Sequence, residues 1–196
     1  ATTETNIDGL IMFNKDITSK INIMANLGAN HMYQTYKGMS IFAENFKIPT
    51  KPTLSSASSN SPGYTPLQEK MINSVYGNIQ LSYNNFLYLE ASGRNDWSST
   101  LPVENNQYFY PAVEASFILT ELDFMQAVAP INYLKLRGSI AQVGKDAGPL
   151  EIDPQLEPTV LWGGGYRYGF TGPNKKLVPE MNTSKEIGFE GRFVKD

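Results

Sequence analysis

The chain has 196 residues, a net charge of −3 and no cysteine. Disulfide frameworks, cysteine-based zinc sites and thiol nucleophiles are therefore excluded. The single histidine, His31, rules out a multi-histidine metal centre, and without a basic stripe there is no electrostatic footprint for nucleic acid. No run approaches the roughly 18 apolar residues of a transmembrane helix, but that test is blind to membrane strands, which face lipid with every second residue.

In chain order, the dominant signal is alternation with period two, the mark of a strand with two different faces. Ala1 opens without the charged and apolar regions of a signal peptide. A short candidate strand lies near residues 7–13. Ile21, Ile23, Ala25, Leu27 and Ala29 then alternate with Asn22, Met24, Asn26, Gly28 and Asn30. A second short candidate lies near 38–46. Val75, Gly77, Ile79, Leu81 and Tyr83 alternate with Tyr76, Asn78, Gln80 and Ser82, and Leu87, Leu89 and Ala91 with Tyr88, Glu90 and Ser92. Asn84-Asn85 between these runs predicts a tight hairpin turn, because Asn tolerates positive φ. Phe109, Val113, Ala115, Phe117 and Leu119 share a parity, as do Leu134, Leu136, Gly138 and Ile140, and then Ile187, Phe189 and Phe193. The last run stops just before Asp196, so both chain ends are expected to be cuts in a longer polypeptide.

This pattern predicts about eight antiparallel strands, several near the roughly 9–11 residues that span a bilayer. The connections alternate. Residues 14–18, 84–85 and 121–130 are the short ones, and a helical turn fits only in the last. Residues 47–71, 94–107 and 142–182 are predicted long loops, rich in Pro, Gly, Ser and Asn. Loops of about 25 to 40 residues are out of place in a compact soluble domain. Short turns at one end and long loops at the other belong to an outer-membrane barrel. Tyr33, Tyr83, Tyr108, Tyr110 and Tyr133 near strand ends fit an interfacial girdle. Periodicity alone leaves a soluble β-sandwich that binds carbohydrate open, because its apolar face would be a core. A complete small eight-stranded barrel is also open.

Several segments resemble one family in order along the chain. Gly93-Arg94-Asn95-Asp96-Trp97-Ser98-Ser99-Thr100-Leu101-Pro102 is similar to a strand-to-loop segment of SusC/RagA-type TonB-dependent outer-membrane transporters. The likeness continues through Tyr108-Phe109-Tyr110-Pro111, Thr120-Glu121-Leu122, Leu134 to Ser139 and Gln142-Val143-Gly144-Lys145-Asp146. It ends at Asn174, Leu177, Pro179-Glu180 and Ser184 to Glu190. The usual Asn-Pro-Asn opening of that last motif reads Asn174-Lys175-Lys176 here. The resemblance implies an all-β fold, with residues 1–196 forming part of a transmembrane barrel of roughly 22 strands. It implies that the plug domain and both chain ends lie outside these residues. It further implies active import of glycans or oligopeptides, TonB acting through the plug, a SusD-like surface lipoprotein as partner, and lipid around the wall. No cofactor, metal or catalytic residue is expected.

The candidate chemistry follows. Glu186 and Glu190, four residues apart on a strand, are separated by about 13 Å, too far for a catalytic carboxylate pair. Gly163-Gly164-Gly165 lacks the Gly-Lys-Ser/Thr and the following helix of a phosphate loop. His31 is expected at a girdle or loop edge. Lys135, Arg137, Glu186, Glu190 and Arg192 share one face type on successive strands and are expected to form a lumenal charge network. Trp97, Tyr108, Tyr110, Trp162, Tyr166, Arg167 and Tyr168 lie in or beside the predicted long loops. Their flat faces suit sugar rings or peptide side chains, which makes them the substrate-binding candidates.

Overall fold

A computed structural model of the chain describes residues 1–62, 67–126, 131–154, 156–159, 165–169 and 172–193. Its strands are β1 (Thr2–Thr18), β2 (Ile21–Lys37), β3 (Ile41–Phe46), β4 (Ala57–Pro62), β5 (Leu67–Tyr83) and β6 (Leu87–Ser98). They continue as β7 (Gln107–Ile118), β8 (Ile131–Lys145), β9 (Leu156–Thr159), β10 (Gly165–Tyr168) and β11 (Glu180–Phe193). One helical turn, α1 (Asp123–Gln126), lies between β7 and β8, where a helical turn was expected.

Seven strands form one antiparallel sheet in the order β1-β2-β5-β6-β7-β8-β11. The two remaining pairs, β3-β4 and β9-β10, are separate hairpins inside long connections. The expected strand near 38–46 is thus not part of the wall. β1 and β11 are the outer strands of an open sheet, so these residues do not close on themselves as a small complete barrel.

The wall strands outrun the apolar pattern that announced them. β1, β2 and β5 each have 17 residues, and β6 continues to Ser98 through the segment expected to be loop. The first turn is at Ser19-Lys20 rather than 14–18. Above the bilayer neither face of a strand meets lipid, so apolar alternation fades while the hydrogen-bonded ladder goes on. The Asn84-Asn85 turn has φ of 47° and 58°, the left-handed conformation that Asn accepts with least strain.

The two faces separate apolar from polar residues. Ile11, Leu27, Ile79, Val113, Ile140 and Ile187 lie on one face and are open, with Ile187 94% exposed. No second layer covers this face among the described residues, which removes the sandwich alternative. The opposite face carries cross-strand polar pairs. Asn26 Nδ2 donates to Asn78 Oδ1 at 2.9 Å, and Asn78 Nδ2 donates to Glu90 Oε1 at 3.1 Å. An apolar face outward and a polar face inward is the arrangement of a membrane barrel wall.

The apolar band crosses the strand register obliquely. On β1 it extends up to Ile7, and on β11 it stops at Ile187. The rung of Ile187 runs through Gly138, Ala115, Leu89, Leu81 and Ile23 to Lys15, well below Ile7. A flat hydrocarbon slab meets tilted strands at a different rung on each, so this offset is the trace of strand tilt.

Aromatic residues mark the lower edge of the band. Phe86 meets Tyr83 and Phe117 edge to face, at 5.4 and 5.3 Å between centroids. Toward the upper edge, His31 and Trp97 lie on the outward rung Ile7–His31–Asn73–Trp97–Gln107. His31, expected at a girdle or loop edge, is thus on the outward face of β2. Tyr33 and Tyr83 are outward too, but Tyr110 and Tyr133 lie on the polar face and Tyr108 is buried.

Ile79→Lys should place an ammonium in hydrocarbon at a cost of ~2–4 kcal/mol. Heat-modifiable folded barrel should be lost for Ile79→Lys in the full-length protein and kept for Gln80→Lys, one residue away on the polar face.

Candidate functional site

The site lies at the rim where the long connections begin. β5 and β8 rise above their shorter neighbours. Pairing of β5 with β6 ends at Ile72–Ser98, although β5 continues to Leu67. The β7-β8 ladder ends at Ala112–Ala141, beside Pro111, which has no N–H to extend it. β8 continues to Lys145, opposite Glu180. Residues 99–101 pack into the notch between β5 and β8. Ser99 anchors them to β5: its N–H donates to the Met71 carbonyl and its hydroxyl accepts from the Met71 N–H, both at 2.9 Å. Thr100 and Leu101 are 2% and 3% exposed, so this corner is a small core in a sheet that otherwise has little.

Two carboxylates organise the notch. Asp146, the first residue after β8, accepts from Lys70 Nζ at 2.7 Å through one oxygen. Its other oxygen accepts from the Ser98 hydroxyl and from Thr100 Oγ1, the latter at 3.1 Å. Asp96, 4% exposed, accepts from Arg94 Nε at 2.7 Å and from the Tyr110 hydroxyl at 2.6 Å. A second Arg94 nitrogen donates to Ser74 Oγ at 2.9 Å, and the guanidinium lies 5.7 Å from the Tyr76 ring centroid. Each carboxylate is thus both ion-paired and hydrogen-bonded, the condition under which a charge withstands burial.

Glycine makes room for the rings. A Cβ at Gly28 would overlap the Tyr76 ring, and one at Gly144 the Tyr108 ring. Tyr108 is 6% exposed and stacks on Tyr110 with centroids 5.9 Å apart. Chemically, the rim offers fixed hydrogen-bonding groups and aromatic faces, the means of holding a ligand.

The candidates named from the sequence fall into several places. Trp97 is on strand β6 rather than in a loop, and its parity sets it on the outward face, away from Tyr110. Tyr108 and Tyr110 are on strand β7, Tyr108 in the packed rim and Tyr110 on Asp96. Tyr166, Arg167 and Tyr168 form β10, with both tyrosines 74% exposed. Trp162 lies outside the described residues. Of the charged row, Arg137 pairs with Glu186 across strands at 2.8 Å, and Arg192 with Glu190 along β11 at 3.1 Å. Arg192 also lies 5.1 Å from the Tyr133 ring centroid. Lys135 is opposite Glu190 in register.

Sequence reasoning missed Arg94, Asp96, Ser98 and Thr100 as a site, and Lys70 and Asp146 with them. The signal was present in part: Arg94, Asp96 and Ser98 alternate along β6, so they share a face. Nothing local announces that Asp146 meets residues 46, 48 and 76 positions away.

A family model described as TonB dependent receptor-like, beta-barrel matches residues 3–196. A TonB-dependent receptor, P26 of Formosa agariphila, is 30% identical over 128 residues, which is 61% of this chain and 12% of that protein. The chain therefore spans a small part of its relative. Among solved structures, the RagAB peptide transporter matches with a TM-score of 0.79 and 18% identity, covering 98% of this chain and 22% of that one. The siderophore receptor PirA from Pseudomonas aeruginosa matches at 0.54 and 16%, covering 97% and 30%.

The two ion-pair sets differ in burial, and their variants should differ accordingly. Arg137→Leu breaks a pair whose side chains are 56% and 60% exposed, and should cost less than ~1 kcal/mol. Arg94→Leu leaves the buried Asp96 without its cation and should cost ~3 kcal/mol, the low end for a buried pair because Arg94 is partly exposed. Urea unfolding of the full-length barrel in lipid vesicles measures the difference.

Proposed function

The chain belongs to the TonB-dependent receptor-like β-barrel family, and on that basis we propose that it forms wall and outer loops of a transporter that imports nutrient oligomers across the bacterial outer membrane. The role is transport, not catalysis. The observation that carries the reading is the two-faced sheet: an oblique apolar band for lipid on one side, and on the other a polar face that ends in a rim of buried ion pairs. The oligomer is an oligopeptide or an oligosaccharide, met at the rim by Tyr110 and by Tyr166, Arg167 and Tyr168 of the β9-β10 hairpin. Family membership supports energy input from TonB through a plug domain elsewhere in the protein. A SusD-like lipoprotein is proposed to cover the long-connection side, to which the β3-β4 and β9-β10 hairpins belong.

Deletion of the gene for the full-length protein tests this in the native bacterium. Uptake of a labelled oligopeptide or of a labelled oligosaccharide should fall to background in the deletion strain. Wild-type uptake of the same oligomer should stop when a protonophore collapses the proton-motive force, and monomer uptake should continue in the deletion strain. Unchanged uptake of both oligomer classes in the deletion strain would overturn the reading.

A further inference from the structure

We propose that Asp146 is a positioning residue for transport, latching the base of the β8-β11 connection across the rim notch to β5 and β6. The inference rests on the transport reading above and adds to it a residue that sets where a long outer connection leaves the wall.

Four observations converge on Asp146. It is the first residue beyond β8, so its anchoring fixes the direction in which the following chain departs. Its partners are not on the neighbouring strand. Lys70 is on β5, Ser98 ends β6 and Thr100 lies in the β6-β7 connection, so the contact spans the top of β7. The latch is nearly dry, with side-chain exposures of 18% for Lys70 and 8% for Asp146, and Ser98 and Thr100 are 1% and 2% exposed. In such surroundings a carboxylate is tolerated only while its donors stay in place, which makes the arrangement all-or-none. The latch is also not needed for strand pairing, because the β8-β11 ladder already runs to Lys145–Glu180. Gly144 lets β8 approach Tyr108 closely on the way up, where any side chain would overlap the ring. The connection that leaves Asp146 carries the exposed Tyr166 and Tyr168. Releasing its base would move them relative to the lumen mouth without touching the wall.

The test uses the full-length protein in the outer membrane of intact cells, with Asp146→Ala and the milder Thr100→Val, which removes one hydroxyl and keeps the ion pair. Three quantities are read: KM and Vmax for the labelled oligomer per heat-modifiable barrel, and the rate at which externally added trypsin cuts at Arg167, Lys175 or Lys176. Asp146→Ala should raise KM and the cleavage rate each about tenfold, a factor equivalent to ~1.4 kcal/mol, and leave Vmax unchanged. Thr100→Val should shift both in the same direction by less. Assembled Asp146→Ala barrels with wild-type cleavage and wild-type KM would overturn the latch. If that variant fails to assemble, wild-type values in Thr100→Val would do the same. Absence of oligomer uptake by the wild type would count against the transport reading alone, because cleavage still reports on the latch.

Discussion

Inside hydrocarbon there is no water to satisfy a peptide group, so every N–H and C=O of a spanning strand must bond to the strand beside it. That constraint accounts for most of what this chain does. The wall is one continuous ladder from β1 to β11 in which each strand between them is paired on both sides. With the backbone fixed in a sheet, side chains have only two directions, and lipid and lumen claim one each. The face of Ile79 and Val113 and the face of Asn78 and Glu90 are consequences of pairing under this constraint.

The constraint relaxes at the rim. There the strands leave the slab, alternation loses its purpose, and something other than lipid must hold the strand ends. Along the notch between β5 and β8 the chain uses buried charge. Asp96 and Asp146 each gather a cation and hydroxyl donors. Buried ion pairs are weak sources of net stability, because desolvation offsets much of the Coulomb gain. Their strength is selectivity, since a half-made network leaves a charge stranded. A rim held in this way has one favoured arrangement, which suits the ligand-facing role proposed for it above.

How much was legible in the sequence follows the same division. Between Ile21 and Ala29, or Val75 and Tyr83, the two faces differ so strongly that strand, direction and lipid face can all be read from residue order. Asn84-Asn85 announced its turn because only a residue tolerant of positive φ fits there. Strand lengths were underestimated where neither face meets lipid and apolar alternation fades: Leu67 to Met71 and Arg94 to Ser98 look like loop and are ladder. The candidate strand near 38–46 was counted with the wall because a short strand carries no mark of which sheet it joins, and its partner β4 lay inside a predicted loop. Trp97 was grouped with loop aromatics on composition, whereas its odd position on β6 sets it outward with His31. The Asp146 contacts were invisible because they join distant segments. Even so, two of the segments that carried the family resemblance, Arg94 to Leu101 and Gly144-Lys145-Asp146, are the pieces that meet.

The central claim is that odd-numbered residues of β5 face lipid and even-numbered residues face an aqueous lumen. These 196 residues contain no cysteine, so single cysteines from Val75 to Ser82 can be introduced and spin-labelled in the full-length barrel reconstituted in lipid. Collision with oxygen, which partitions into lipid, and with a water-soluble nickel complex should alternate with period two along the strand. Oxygen should be favoured at Val75, Gly77, Ile79 and Leu81, and nickel at Tyr76, Asn78, Gln80 and Ser82. A profile without alternation, or one with the parity reversed, would contradict the account.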